Sequence, residues 1–252
     1  MVFVLIVLFI IGLVMGSFYT VIGLRGPLNQ SIVKPRSHCT TCNHVLSWYE
    51  LIPVISWVIQ GGKCRKCKTK LSFVYPAIEI LTGLLFVLAF YLYGISYEFF
   101  AMLVISSLLV IIFVSDFKYM VILDGPLIVC YILILALKWY YFGLKNVIIS
   151  VISGLIILAF MMLVKIIGDK VFKTESMGGG DIKLSIFFGL ALGIRLSFIS
   201  LVLGSFLAFP YALYYVFANK EREVPFGPFL IMGMLIIFLL QSHITNFIEI
   251  IL

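Results

Sequence analysis

The chain has 252 residues, 63% of them hydrophobic and only 12% charged, with a formal net charge of +7. Soluble domains carry roughly a quarter charged residues, so this composition and a mean hydropathy of +1.21 exclude a soluble enzyme. They predict an all-α polytopic membrane protein; barrel strands are excluded, because the apolar runs are too long and too uniform to alternate lipid-facing and lumen-facing residues.

In chain order, apolar segments fall near 2–24, 75–93, 98–115, 121–138, 146–167, 182–194, 196–218 and 227–250. Most reach the ~20 residues that a helix needs to cross a bilayer. The sixth is short, so eight spans are expected and seven stay open. No Lys or Arg precedes the first segment, and its flanking charge, Arg25, follows it. It therefore reads as a retained span with an outside N-terminus, and not as a cleaved signal. We divide the chain into a first transmembrane helix (1–24), a loop domain (25–74) and a transmembrane domain (75–252).

Basic residues gather in the loop 25–74, at Lys118, at Lys165/Lys170/Lys173 and at Lys220/Arg222. Eight spans put all of these on one side, which the positive-inside rule makes cytoplasmic. Lys138 and Lys145 fall on the other side. Topology explains most of the net charge, so no nucleic acid partner is expected; the bilayer is the expected surrounding. The loop is therefore expected to face the cytoplasm.

Four of the five cysteines lie in that loop, as Cys39-x2-Cys42 and Cys64-x2-Cys67. Paired C-x2-C turns fit a tetrahedral zinc site, and four thiolates leave no open position for a reactive water. Structural Zn2+ is expected there, and no metal for hydrolytic chemistry. Cys130 lies within a span and reads as a packed small hydrophobe.

Acids within or bordering the spans are few: Glu79, Asp116, Asp124 and Asp181, with Glu98 and Glu249 toward the other face. Such residues are functional candidates by default. Asp116 and Asp181 fall at the same membrane level, in the matching strings Asp116-Phe117-Lys118 and Asp181-Ile182-Lys183. Two carboxylates brought together share a proton and can activate water for attack on a peptide carbonyl. Asp124, before Gly125-Pro126, reads as a helix cap or as a neighbour of that site. Lys118 and Lys183 read first as headgroup anchors beside it. Glu79 is either a buried polar contact or part of a substrate groove. Gly178, Gly179 and Gly180 precede Asp181 and give either a hinge or a close approach for substrate backbone.

These pieces, in order, resemble the type IV prepilin peptidases. They are Gly16-Ser17-Phe18; the thiol pairs; Trp48-Tyr49-Glu50-Leu51-Ile52-Pro53; Tyr75-Pro76-Ala77-Ile78-Glu79; Asp116 and Asp124; Met177-Gly178-Gly179-Gly180-Asp181-Ile182-Lys183; and Pro225-Phe226-Gly227-Pro228. The resemblance implies an intramembrane aspartyl protease of the GxGD type, with Asp116 and Asp181 catalytic. Gly178, Gly179, Gly180, Lys183, Lys118, Asp124 and Glu79 are the candidate residues around substrate. The implied substrates are prepilins or pseudopilins, cut after a short basic leader on the cytoplasmic side. It further implies N-methylation of the new N-terminal residue with S-adenosylmethionine, through the loop half of the chain. That half departs from the common pattern, with no proline after Cys39 and with Leu51 where Asn is common. The alternatives from the residues alone are an ion or proton transporter that uses the Asp pair and a non-catalytic scaffold of a pilus or uptake system. The oligomeric state, the particular pilin and the S-adenosylmethionine contacts are not legible.

Overall fold

A computed structural model describes residues 1–217 and 224–251. The expected Lys220/Arg222 cluster and the Glu249 side chain lie outside the described residues. Helices α1 (Val2–Arg25), α2 (Ile55–Ile59), α3 (Val74–Tyr93), α4 (Tyr97–Tyr119), α5 (Asp124–Phe142), α6 (Leu144–Phe172), α7 (Gly179–Phe217) and α8 (Gly227–Ile251) follow one another. Among the described residues no strand forms; only the isolated bridges His38–Val45 and Lys63–Lys70 occur. Among the described residues seven helices are long and apolar enough to cross a membrane. The all-helical membrane architecture is as the composition predicts. The chain forms two compact units, Met1–Phe99 and Phe100–Leu252.

In the first unit α1 packs on α3 through small residues. Lipid gives apolar helices no hydrophobic reason to associate, so close van der Waals contact must hold them. A Cβ on Gly12 would stand 2.6 Å from the Gly83 Cα, and one on Gly16 would meet the Thr82 hydroxyl at 2.7 Å. Thr20 turns its hydroxyl back to the Gly16 carbonyl and hides its polar atom inside its own helix.

In the second unit α4 is the most enclosed helix, and Asp116 lies near its end. Helices α6 and α7 touch backbone to backbone, a Cβ on Gly189 falling 2.5 Å from the Gly154 Cα. Gly204 and Gly233 make the equivalent contact between α7 and α8. Lys138 on α5 reaches the Ser150 hydroxyl on α6, and Cys130 is buried as expected.

Helix α7 answers the span count. At 39 residues it is too long for one crossing, and Gly193 (φ 74°, ψ 178°) interrupts it. That φ lies where only glycine sits without strain. Asp181, at the start of α7, shares a cavity with Asp116. Tyr211, near its end, lies 5.9 Å ring to ring from Phe117. Both ends of α7 therefore meet the same end of α4, and the chain reverses at Gly193. The element holds the sixth and seventh expected segments as two antiparallel arms.

Candidate active site and metal centre

Asp116 is buried near the C-terminal end of α4, where the Gly227 amide donates to its Oδ2 at 3.2 Å. Gly227 opens α8 directly after Val224-Pro225-Phe226, so a free helix-start N–H meets an acceptor. A Cβ there would stand 3.1 Å from the Asp116 oxygen and 2.8 Å from Ile122. The Pro-Phe-Gly-Pro string thus matters through the one residue that leaves room for the carboxylate.

Asp181 lies in the first turn of α7, half-buried, within range of the Asp116 charge and beside the Gly178 backbone. The two carboxylates line one cavity of about 690 Å³ together with Asp124, Lys183, Met177 and the glycine run. Nothing stands within 4 Å of a Cβ on Gly179, whereas Gly180 faces Ile122 at 3.0 Å. The run is therefore open on one side and packed on the other.

Asp124 does not cap its own helix: α5 has Leu123 at its N-cap and no side-chain cap bond. Both Asp124 oxygens instead accept from Lys183 Nζ at 2.8 Å. Lys183 thus lies on the cavity, tied to an acid. Lys118 is not among the lining residues; its ammonium lies 5.2 Å over the Tyr119 ring.

Glu79 belongs to the first unit, buried on α3, where its Oε2 accepts the Val54 amide at 2.7 Å. Val54 has φ 62°, a strained conformation for a β-branched residue. Glu79 satisfies the amide of that turn, so the structure shows the buried polar contact of the two readings.

The four loop thiols converge. Cys39 and Cys67 sulfurs lie 3.7 Å apart, those of Cys42 and Cys64 3.9 Å apart, and all four lie within 4.8 Å of one another. Zn–S bonds of about 2.3 Å in a tetrahedron give S···S edges of about 3.8 Å. The donor set fits Zn2+, with Cys39, Cys42, Cys64 and Cys67 as its ligands.

Each thiol pair sits on the same knuckle. The Asn43 amide donates to the Cys39 carbonyl and the Lys68 amide to the Cys64 carbonyl, both at 2.9 Å. Asn43 and Lys68 both take positive φ, which folds each turn back under its sulfurs. Hydrogen bonds from Thr69 hold the Cys67 thiol down to about 6; at Cys42 the His44 backbone N–H lowers the thiol, but burial and the three neighbouring sulfurs outweigh it and push it up to about 11.

Glu50 was missed as a site residue by the sequence reading. Its buried carboxylate accepts the Ser47 amide at 2.9 Å and meets His44 Nε2 at 3.2 Å, bracing the first knuckle. The Ser47 N–H, with His44 beside it, holds the carboxyl below its usual range despite burial. A signal was present, since Ser47-x-x-Glu50 is a capping box.

The fold and its sites define a multi-pass helical membrane protein with a four-thiol loop and a polar cavity at one helix end. Residues 10–93 match the bacterial peptidase A24 N-terminal domain and residues 103–213 the type IV leader peptidase family. The chain is 36% identical to a prepilin leader peptidase/N-methyltransferase of Bacillus subtilis (strain 168), covering 96% of each protein. It is 38% identical to one of Myxococcus xanthus (strain DK1622), over 75% of this chain and 56% of that protein. It is 30% identical to one of Vibrio cholerae, over 93% of this chain and 96% of that protein. No solved structure matches significantly. The chain belongs to the type IV leader peptidase family and is a membrane peptidase.

Proposed function

We propose that the chain removes the short basic leader of type IV prepilins or pseudopilins at the cytoplasmic membrane face, with Asp116 and Asp181 as its catalytic pair. The observation that carries this is their shared cavity, where the Gly227 amide orients one carboxylate and an open glycine run precedes the other. One carboxylate takes a proton from water as its oxygen attacks the scissile carbonyl. The other, protonated, polarises that carbonyl and then protonates the departing amine as the C–N bond breaks. Gly179 leaves space for an extended substrate backbone beside Asp181. The cytoplasmic placement is supported by the basic clusters on the side where both acids fall.

A second activity, N-methylation of the new N-terminus with S-adenosylmethionine as methyl donor, belongs to the same reading. It is supported by the relatives' names and by the loop motifs. Zn2+ on the four cysteines would shape that loop without taking part in hydrolysis.

The test is mass spectrometry of a prepilin co-expressed with wild type, Asp116→Asn or Asp181→Asn. Wild type should release the leader and add one methyl group. Each variant should accumulate unprocessed substrate while retaining wild-type yield and melting behaviour. Full processing by either variant would refute the catalytic assignment.

A further inference from the structure

Helix α2 shows an apolar face to its surroundings. Ile55, Val58 and Ile59 stand at positions i, i+3 and i+4 of one short helix, 54%, 62% and 79% exposed. That spacing puts all three on one side of the helix. Large apolar side chains grouped in this way mark a surface that some partner covers.

The remaining question is what covers it, and the helix's anchorage answers it. Trp57 packs its indole edge-on against Phe73 at 5.7 Å, and Gly62 lies directly beneath the same indole. Phe73 is the N-cap of α3, the second candidate membrane span, and is itself 65% exposed together with its neighbour Val74. Helix α2 is therefore fastened to the mouth of a transmembrane helix, at the level where that helix enters lipid. Trp57 stands on the opposite side of α2 from Ile55, Val58 and Ile59, so the contact with Phe73 leaves the apolar face free beside the point where α3 enters lipid.

Charge agrees. Lys63, Arg65, Lys66, Lys68 and Lys70 follow α2 directly, and no acid occurs between Gln60 and Ser72. Basic side chains beside an apolar helix face are the arrangement that holds segments at anionic headgroups.

We propose that α2 is an interfacial membrane anchor. It buries Ile55, Val58 and Ile59 at the headgroup–acyl boundary and so holds the four-thiol loop down on the bilayer surface. The inference depends on the membrane architecture alone and holds whatever chemistry the cavity performs.

The test uses the full chain in nanodiscs containing anionic lipid, with a benzophenone amino acid in place of Ile59 and, separately, of Lys66. Irradiation and mass spectrometry should give lipid adducts at 59 and few at 66. Adducts of 59 to a second copy of the chain or to a co-reconstituted prepilin, or no adducts, would overturn the proposal. Independently, Ile59→Trp in a Trp48→Phe/Trp139→Phe background should lose most of its added emission to lipids brominated near the headgroup. Undiminished emission would overturn it equally.

Discussion

The ammonium of Lys183 donates to both carboxylate oxygens of Asp124 at 2.8 Å, two residues past Asp181. The same residue's carbonyl accepts the Tyr131 hydroxyl at 2.5 Å. The start of α7 is thus tied twice to α5, while a Cβ on Gly179 would meet nothing within 4 Å. A glycine run cannot fix the carboxylate that follows it; these two ties can.

Lys183→Met and Asp124→Asn should each slow leader cleavage by about ten- to hundredfold, the order of loss that follows misplacement of a reacting group. Melting should barely move, because both partners are solvent-exposed and such pairs contribute at most about 1 kcal/mol. The exchanged pair, Asp124→Lys with Lys183→Asp, should recover part of the rate in a turnover assay. Silent single variants would show that the tie does not position Asp181.

Two glycine substitutions at the cavity should part company. Gly227→Ala puts a methyl 3.1 Å from the Asp116 oxygen and should reduce cleavage sharply. Gly179→Ala meets open space and should leave the protein as stable as wild type. Cleavage rates and melting curves for both, measured together, separate crowding of the carboxylate from general disruption.

At the α6–α7 contact the cost should appear in stability instead. Gly189→Val drives a side chain into the Gly154 backbone, only 2.5 Å from a Cβ. Overpacking of this kind costs about 1–3 kcal/mol and should lower the melting midpoint in detergent.

The thiol loop should lose its fold with its metal. Purified protein should carry one zinc per chain, and Cys39→Ser/Cys64→Ser should carry none. Chelation should open the loop to trypsin around Lys63–Lys70 while sparing the hydrolytic chemistry more than the loop.

Glu50 gives the loop a pH dependence of known sign. Its carboxyl is held below its usual range in the fold by the Ser47 amide and by His44. The stabilisation is therefore complete above the ordinary Glu value of about 4.3 and fades as pH falls through the lower folded value. Wild type should exceed Glu50→Gln in loop protease resistance at neutral pH, and the difference should vanish on acidification.

Much of this was legible because membranes impose simple rules. Runs of apolar residues announce helices, and C-x2-C pairs announce a metal turn, since each depends on local spacing. Asp116 and Asp181 could be set at one level by topology alone. What escaped was contact between distant segments: Lys183 choosing Asp124 over a headgroup, Glu79 answering a strained Val54 amide, and the Gly154–Gly189 approach. Each depends on which faces meet, and a chain that is apolar all round gives no periodic stripe to identify them.

The reversal at Gly193 has a consequence for depth. The first arm of α7, residues 179–192, is about 21 Å long at 1.5 Å per residue, against a hydrocarbon core of about 30 Å. Its neighbours enclose it, with Leu184, Phe187 and Phe188 wholly buried, so no lipid need thin around it. It falls about 9 Å short of that core, and its Gly193 end is partly open to the surroundings. An arm of that length cannot cross the bilayer unaided, so the helices packed around it must carry the rest of the span.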